Sequence, residues 1–187
     1  MAKGLTLDIF IHMDAVGRND WQGVPDERPL TDKGRVQAER IAEELGSSRV
    51  DGIFSSPAAR CTQSLASLAE KTGLPVQVVP GFRDTLGYRA PMGWENADRP
   101  GADPLGGAIS AGSAFAALRQ LYQQVPEGRA VLCSYGDIVP ALLAFLAGAN
   151  GQEMPPRDNS KGAIFSITFD GEKATVQGRA PSPGFPQ

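Results

Sequence analysis

The chain has 187 residues, of which 41% are hydrophobic and 21% are charged, and its formal net charge is −3. No apolar run approaches the length of about 18 residues that a membrane-spanning helix needs, and the mild negative charge gives no basic surface for nucleic acid or an anionic membrane. We therefore expect a cytoplasmic protein with a single domain over residues 1–179 and a flexible Pro-rich tail over residues 180–187.

Cysteine and histidine are scarce in this chain. The two cysteines, Cys61 and Cys133, form no C-x-x-C pair and give no disulfide framework. A closed zinc site needs a full set of Cys and His ligands, and the chain has only two cysteines and one histidine, so we expect no metal and no other cofactor. His12 is therefore the one candidate for any mechanism that needs a histidine.

The first elements along the chain are a strand, a long loop and a helix. The apolar run over residues 5–11 predicts a buried strand, and the Gly- and Pro-punctuated residues 13–31 predict the loop. A helix is predicted from Thr31 or Asp32, either of which can cap it, to Gly46. Its apolar face is expected to comprise Val36, Ala38, Ile41, Ala42 and Leu45.

The middle of the chain continues this alternation and then loses it. Residues 50–54 predict a short second strand, and the Ser56-Pro57 pair predicts a helix start, because Pro favours the first helical position after a Ser cap. That helix is expected to end at Gly73, and a third strand is predicted at residues 76–79. Residues 81–112 are rich in Gly and show little periodicity, so a loop-rich excursion with room for a helical turn is expected.

The last third of the chain returns to regular patterns. Helical spacing resumes after Ser113, which is predicted to cap that helix, and residues 130–133 predict a short buried strand. An apolar helix is predicted over residues 136–146, followed by a β-hairpin over residues 163–177. Alternating strands and helices are typical of an α/β domain with a mainly parallel sheet.

Polar side chains follow several predicted strands, at the point where each strand ends. His12 follows the first strand, Ser56 the second, and Ser134 and Tyr135 the fourth, while Arg60 lies one helical turn beyond Ser56. Because ligands bind at the carboxyl ends of the strands in such sheets, these residues predict one pocket.

Two segments resemble the signature of the histidine phosphatase superfamily. D-E-R-P-L-T-D-K-G-R-V-Q-A, residues 26–38, resembles its loop and first helix, and D-G-I-F-S-S-P-A-A-R-C-T-Q-S, residues 51–64, resembles its S-S-P-x-x-R-x-x-Q-T segment. V-L-C-S-Y-G-D-I-V-P-A-L-L resembles the second catalytic segment, and K-G-A-I-F-S-I-T-F-D-G resembles the closing hairpin. The likeness covers roughly residues 5–178 and is strongest to small phosphohistidine phosphatase-like members. It implies a phosphoglycerate mutase-like three-layer α/β/α sandwich.

The resemblance also implies a chemistry and a set of site residues. In the family, a histidine after the first strand attacks phosphorus, two arginines and a second histidine neutralise the phosphoryl oxygens, and an acid protonates the leaving oxygen. Carried over to this chain, these roles fall on His12 as nucleophile, Arg60 as phosphate ligand and Asp84 as acid, with Glu95 as a weaker candidate for the acid. Ser134 and Tyr135 stand where the family's Ser-His pair stands, and they are candidate ligand contacts.

The first catalytic motif departs from the family's Arg-His-Gly or Arg-His-Ala. Here it reads Ile11-His12-Met13, which allows two alignments. Placing His12 on the nucleophile puts Ile11 on the arginine and needs no gap, and this is the alignment we prefer. Placing His12 on the arginine instead puts Met13 on the nucleophile and needs a deletion in the loop. Either alignment removes one essential group.

The second catalytic motif departs as well, because Tyr135 replaces the family's second histidine. Tyrosine donates a hydrogen bond but carries no positive charge near neutral pH. Each lost charge-assisted hydrogen bond removes about 1.5–3 kcal/mol of phosphate affinity, so efficient phosphatase activity is not expected. Arg18, in the loop after the first strand, is the candidate for a compensating cation.

Three functions follow from these departures. The leading one is a pseudophosphatase that binds a partner or a small-molecule or phosphorylated ligand. The alternative is a weak or narrow phosphomonoesterase or phosphohistidine phosphatase that forms a phosphohistidine at His12. A further alternative is a repurposed enzyme on the same fold that acts on a less anionic substrate. The sequence leaves the ligand and the oligomeric state open.

Overall fold

A computed structural model describes residues 4–83, 104–156, 158, 160–171 and 173–187. Within these ranges the strands are β1 (Leu5–Ile11), β2 (Gly52–Ser55), β3 (Val76–Val78), β4 (Gly128–Ser134), β5 (Ile164–Asp170) and β6 (Lys173–Arg179). The helices are α1 (Asp32–Leu45), α2 (Ala59–Ser64), α3 (Ala66–Thr72), α4 (Pro104–Gln124) and α5 (Ile138–Ala149), with short 3-10 turns at Pro25–Glu27 and Pro80–Phe82.

The described strands form one sheet in the order β3-β2-β4-β1-β5-β6. The pairs β3–β2, β2–β4 and β4–β1 are parallel, whereas β5 runs antiparallel to both β1 and β6. Helices α1, α2 and α3 pack against one another, and α4 packs against α5, so two groups of helices flank the sheet. The predicted α/β/α sandwich with a mainly parallel sheet is confirmed.

Strand β1 lies in the centre of the sheet, between β4 and β5. Leu5, Leu7, Ile9 and Phe10 are all fully buried, because a central strand is covered on both faces. Asp8 interrupts this run, and its carboxylate is paired with the guanidinium of Arg129 at 2.6 Å. The pair satisfies a charge that would otherwise be costly inside the sheet.

Helix α1 begins as predicted, with the Thr31 hydroxyl accepting a hydrogen bond from the backbone N–H of Gly34 at 3.0 Å. The prediction that Val36 belongs to its apolar face is wrong, since Val36 is 51% exposed. Spacings of three and four residues define the buried face of a helix, and Val36 falls outside the set that they define. That buried face consists of Gly34, Gln37, Ala38, Ile41, Ala42 and Leu45.

The single helix predicted from Ser56-Pro57 to Gly73 is two helices, α2 and α3, separated at Leu65. The prediction that Ser56 caps a helix is also wrong. Its hydroxyl and its backbone N–H both donate to the carbonyl of Cys133, at 3.2 and 3.0 Å, which holds Ser56 against the edge of β4. The predicted end at Gly73 is confirmed, because Gly73 adopts a left-handed conformation with φ 72°.

Helix α4 includes residues 104–112, so the predicted helix start at Ser113 is too late. The glycines among residues 104–112 carry no side chain and therefore hide the helical periodicity of this turn-rich sequence. The preceding part of the excursion predicted over residues 81–112, residues 84–103, lies outside the described residues.

The segment after β6, expected to be a flexible tail, instead packs against the domain. Phe185 is buried, and the carbonyl of Pro186 accepts a hydrogen bond from Nε2 of Gln37 at 2.7 Å. The Phe185 ring lies against Gly162, where a Cβ atom would come within 2.6 Å of it. Because Gly162 has no side chain, it leaves the space that the Phe185 ring occupies.

No helix in the described ranges is long and apolar enough to cross a membrane.

Replacing Gly34 by Ala should lower the free energy of unfolding by about 1–3 kcal/mol, because the new Cβ would lie 1.9 Å from the backbone oxygen of Asp14. Gly112→Ala is the matched control in α4, where a Cβ meets nothing within 4 Å. It should raise stability by about 0.5–1 kcal/mol, since Ala is the better helix former. Urea unfolding followed by circular dichroism measures both, and equal effects of the two substitutions would contradict the close approach.

Candidate functional site

The carboxyl ends of β1 and β4 lie side by side and carry the candidate site. Ile11 pairs with Ser134 in the parallel register, and the backbone N–H of His12 donates to the Ser134 carbonyl at 3.1 Å. The structure therefore brings His12, Ser134 and Tyr135 to one edge of the sheet. Arg60, on α2, joins them there through its contact with Tyr135.

His12 is half-buried and is held in one tautomer. Its Nδ1 lies 2.8 Å from the carbonyl oxygen of Met13, and because a carbonyl only accepts, Nδ1 carries the proton and Nε2 has a free lone pair. Burial, followed by the nearby charges of Lys161, Arg60 and Arg28, lowers the pKa of His12 to about 3. His12 is therefore a neutral imidazole at physiological pH, with an unprotonated nitrogen available.

Arg60 is almost fully buried, with 3% of its surface exposed. Its Nη1 donates to the carbonyl of Pro25 at 3.0 Å, and its guanidinium carbon lies 4.9 Å from the centre of the Tyr135 ring. This distance is typical of a cation–π contact, so the tyrosine supports the guanidinium. The Nε atom of Arg60 is buried and has no hydrogen-bond partner among the described residues.

Two cations near His12 were not singled out in the sequence. Arg28 is buried, and it donates from Nη1 to the carbonyl of Val16. Lys161 donates from Nζ to the carbonyl of His12 at 2.6 Å, and burial lowers its pKa below the usual value. Arg28 lies in the D-E-R-P-L-T segment and Lys161 in the K-G-A-I-F segment, and both segments resemble the family. That resemblance is the sequence feature from which the two residues could have been predicted to lie near the site.

Arg18 lies in the loop after β1 and faces the same region. Arg18, Arg28 and Arg60 line one cavity of about 160 Å³ together with Trp21, Gly23 and Pro25. Burial and the positive charges of Arg60 and Arg18 lower the pKa of Arg28. The candidate compensating cation therefore does stand near Arg60.

The two remaining predicted site residues differ from the expectation or cannot be placed. Ser134 is fully buried, with its hydroxyl 3.5 Å from the carbonyl of Phe82, and it holds the site through its backbone carbonyl. Asp84, the predicted acid, lies outside the described residues.

Three polar side chains form hydrogen bonds with the backbone of the loop over residues 13–31. Oε1 of Gln37 accepts from the backbone N–H of Asp14 at 2.8 Å, and Oε1 of Gln63 accepts from that of Leu30 at the same distance. Ser64 accepts from the backbone N–H of Met13 at 2.9 Å. Hydrogen bonds from α1 and α2, of which the Ser64 bond is buried, therefore position the loop.

A second cavity, of about 350 Å³, has Ile11 in its lining. Most of its lining is apolar, and Asp137 and Asp158 stand at it. The lining residues are Ile11, Gly136, Asp137, Pro140, Leu143, Met154, Pro155, Asp158 and Phe165. In the described part of the chain, His, Cys, Asp and Glu form no cluster that could hold a metal ion.

The family model of the histidine phosphatase superfamily, branch 1, matches residues 14–98, which include the loop signature and the S-S-P-x-x-R segment. Over these residues, which are somewhat less than half of the chain, the sequence is similar to the histidine phosphatase superfamily.

Several known proteins are similar to the chain over most of its length. It is 24% identical over 168 residues, 89% of its length, to an 8-oxo-(d)GTP phosphatase of Mycolicibacterium smegmatis, but it spans only 45% of that protein. The structure of YhfR from Bacillus stearothermophilus matches with a TM-score of 0.70 and 17% identity, over 92% of this chain and 95% of YhfR. The protein histidine phosphatase SixA in complex with tungstate matches with a TM-score of 0.62 and 20% identity, over 94% of this chain and 97% of SixA. These structures share the histidine phosphatase fold with the chain.

The neutral state of His12 should make stability depend on pH. Between its lowered folded pKa of about 3 and its unfolded value of 6.5, the unfolded chain takes up a proton that the folded chain does not. Wild-type protein should therefore lose up to about 1.4 kcal/mol of unfolding free energy per pH unit more than His12→Gln does as pH falls through this window. Urea unfolding at pH 7, 6, 5 and 4 measures the difference. His12 is the only histidine, so parallel pH profiles would contradict its burial in the neutral form.

Proposed function

We propose that this histidine phosphatase-fold chain binds the phosphoryl group of a phosphorylated ligand between His12 and Arg60 and does not turn it over efficiently. The observation that carries the proposal is the buried guanidinium of Arg60, which Tyr135 supports and which has no carboxylate partner among the described residues. A buried, unpaired guanidinium is costly to keep and favours an anionic ligand.

The charges around His12 support an anionic ligand. Arg60, Arg28 and Lys161 all act on His12 as positive charges, and each of them lowers its pKa. Within the described residues, none of the three forms an ion pair. The remaining positive potential favours a phosphate group and argues against the alternative of an enzyme repurposed for a less anionic substrate.

The replacements in the two catalytic motifs support the absence of efficient turnover. Ile11 and Tyr135 stand where the resemblance places an arginine and a histidine, and neither carries a positive charge at neutral pH. Phosphoryl transfer depends on positive groups aimed at the charge that develops in the transition state. Arg28 and Lys161 add positive charge near His12 from other positions, where each also donates to a backbone carbonyl, that of Val16 and that of His12.

A slow phosphatase is the second candidate, and the hydrogen bond between His12 Nδ1 and the Met13 carbonyl favours it. That bond leaves Nε2 free to attack phosphorus, which supports the alignment of His12 with the family's nucleophile. In such a reaction the P–O ester bond breaks, an acid protonates the leaving alcohol, and water then cleaves the P–N bond to release orthophosphate. Asp84 is the acid that the resemblance implies. Two of the similar proteins, that of M. smegmatis and SixA, are phosphatases by name.

Binding of orthophosphate and of vanadate, measured by calorimetry, tests the proposal directly. Arg60→Ala should weaken binding by about tenfold to a hundredfold, which corresponds to one lost charge-assisted hydrogen bond. Arg60→Lys should recover part of the affinity, and Arg35→Ala, an exposed arginine on α1, is the control for net charge. Affinity that is unchanged in Arg60→Ala, or no binding by wild-type protein, would overturn the proposal.

Release of phosphate from p-nitrophenyl phosphate and from phosphohistidine separates the two candidates. Wild-type protein should release no more phosphate than His12→Ala does, while it still binds orthophosphate. Release that depends on His12 and also fails in Arg60→Ala would establish the slow phosphatase instead. The unfolding midpoint of each variant, measured in parallel, shows whether a loss of signal is a loss of fold.

A further inference from the structure

The cavity lined by Arg18, Arg28 and Arg60 adjoins the proposed phosphoryl site, because Arg60 lines the cavity and its charge also acts on His12. Its volume of about 160 Å³ corresponds to roughly five water molecules at about 30 Å³ each, which is room for one further group of phosphate size. Most of the lining residues belong to the loop over residues 13–31, and side-chain hydrogen bonds from Gln37 and Gln63 hold the backbone of this loop. The cavity is therefore a built part of the fold.

Three like charges share this small space without a neutralising carboxylate. Among the described residues, none of the three arginines forms an ion pair. Arg60, 3% exposed, also keeps its Nε atom buried without a hydrogen-bond partner. Gathering guanidinium groups in this way costs free energy through repulsion and desolvation, and a bound anion offsets both.

The indole ring of Trp21 also lines the cavity. The indole N–H of Trp21 donates to the Val24 carbonyl at 2.9 Å, so the ring is tied to its own loop. Gly23 permits this arrangement, because a Cβ there would lie 2.8 Å from the ring. The Trp21 ring therefore forms one side of the cavity next to the three arginines.

We propose that Arg18 and Arg28 bind a second anionic group next to the phosphoryl group at His12, so that the ligand of this site is a diphosphate rather than a monophosphate. The proposal rests on the phosphoryl pocket proposed above, because Arg60 is the wall that the two subsites share. Two anionic groups joined through one bridging oxygen fit two subsites that meet at a single side chain. Arg18, the exposed member of the cluster, is the residue that would distinguish the two ligands.

Calorimetric titration with pyrophosphate and with orthophosphate, at low ionic strength and pH 8, tests this subsite. Wild-type protein should bind pyrophosphate tighter than orthophosphate by about tenfold or more, in proportion to one added charge-assisted hydrogen bond. Arg18→Gln should reduce that preference to about threefold or less, because it weakens pyrophosphate binding more than orthophosphate binding. Arg35→Gln removes the same charge from the exposed face of α1 and should keep the preference.

The outcomes separate this proposal from the phosphoryl pocket itself. If orthophosphate binds in an Arg60-dependent manner but pyrophosphate binds no tighter, the second subsite is refuted and the pocket stands. Equal effects of Arg18→Gln and Arg35→Gln also refute it, since the preference would then reflect net charge alone. If neither anion binds, both proposals fail together.

Discussion

The parallel pairing of β1 with β4 is the constraint on which the site depends. The two strands run in register until Ile11 lies opposite Ser134, so both chains leave the sheet at the same point. The Ser134 carbonyl then holds the backbone of His12, and the next residue along, Tyr135, turns its ring onto Arg60. Antiparallel pairing would place these ends on opposite edges of the sheet, and no shared pocket would form.

The residues that replace the family's charged groups have structural roles of their own. Tyr135 is 2% exposed, and its ring packs against the guanidinium of Arg60, where a protonated histidine would repel it. Ile11 lines the 350 Å³ cavity on the far side of the strand end. Tyr135 thus packs against Arg60 and Ile11 against the core, and neither carries a positive charge at the positions where the resemblance places one.

Positive charge remains around His12 although Ile11 and Tyr135 carry none. Arg28 and Lys161 approach it from the loop after β1 and from the segment before β5, and their charges help to keep the imidazole neutral. The cations around the imidazole attract a phosphate group, while the free lone pair on Nε2 offers a nucleophile and no hydrogen-bond donor. Efficient turnover needs the same charges to be aimed at the transferring oxygens, and that requirement is stricter than proximity.

The sequence by itself predicted the alternation of strands and helices, the meeting of His12, Arg60 and Tyr135 at one end of the sheet, and a likeness to the histidine phosphatase superfamily. These predictions rest on local signals, such as strand and helix periodicity, the Thr31 cap and Gly73. Local signals can be recognised in the sequence without knowledge of the fold. Only the tertiary structure decided that Val36 faces solvent, that Phe185 packs against Gly162, and that Arg18 and Arg28 join Arg60 around one cavity. These facts depend on how distant segments pack, and a loop held by Gln37 and Gln63 from two helices leaves no periodic pattern in the chain.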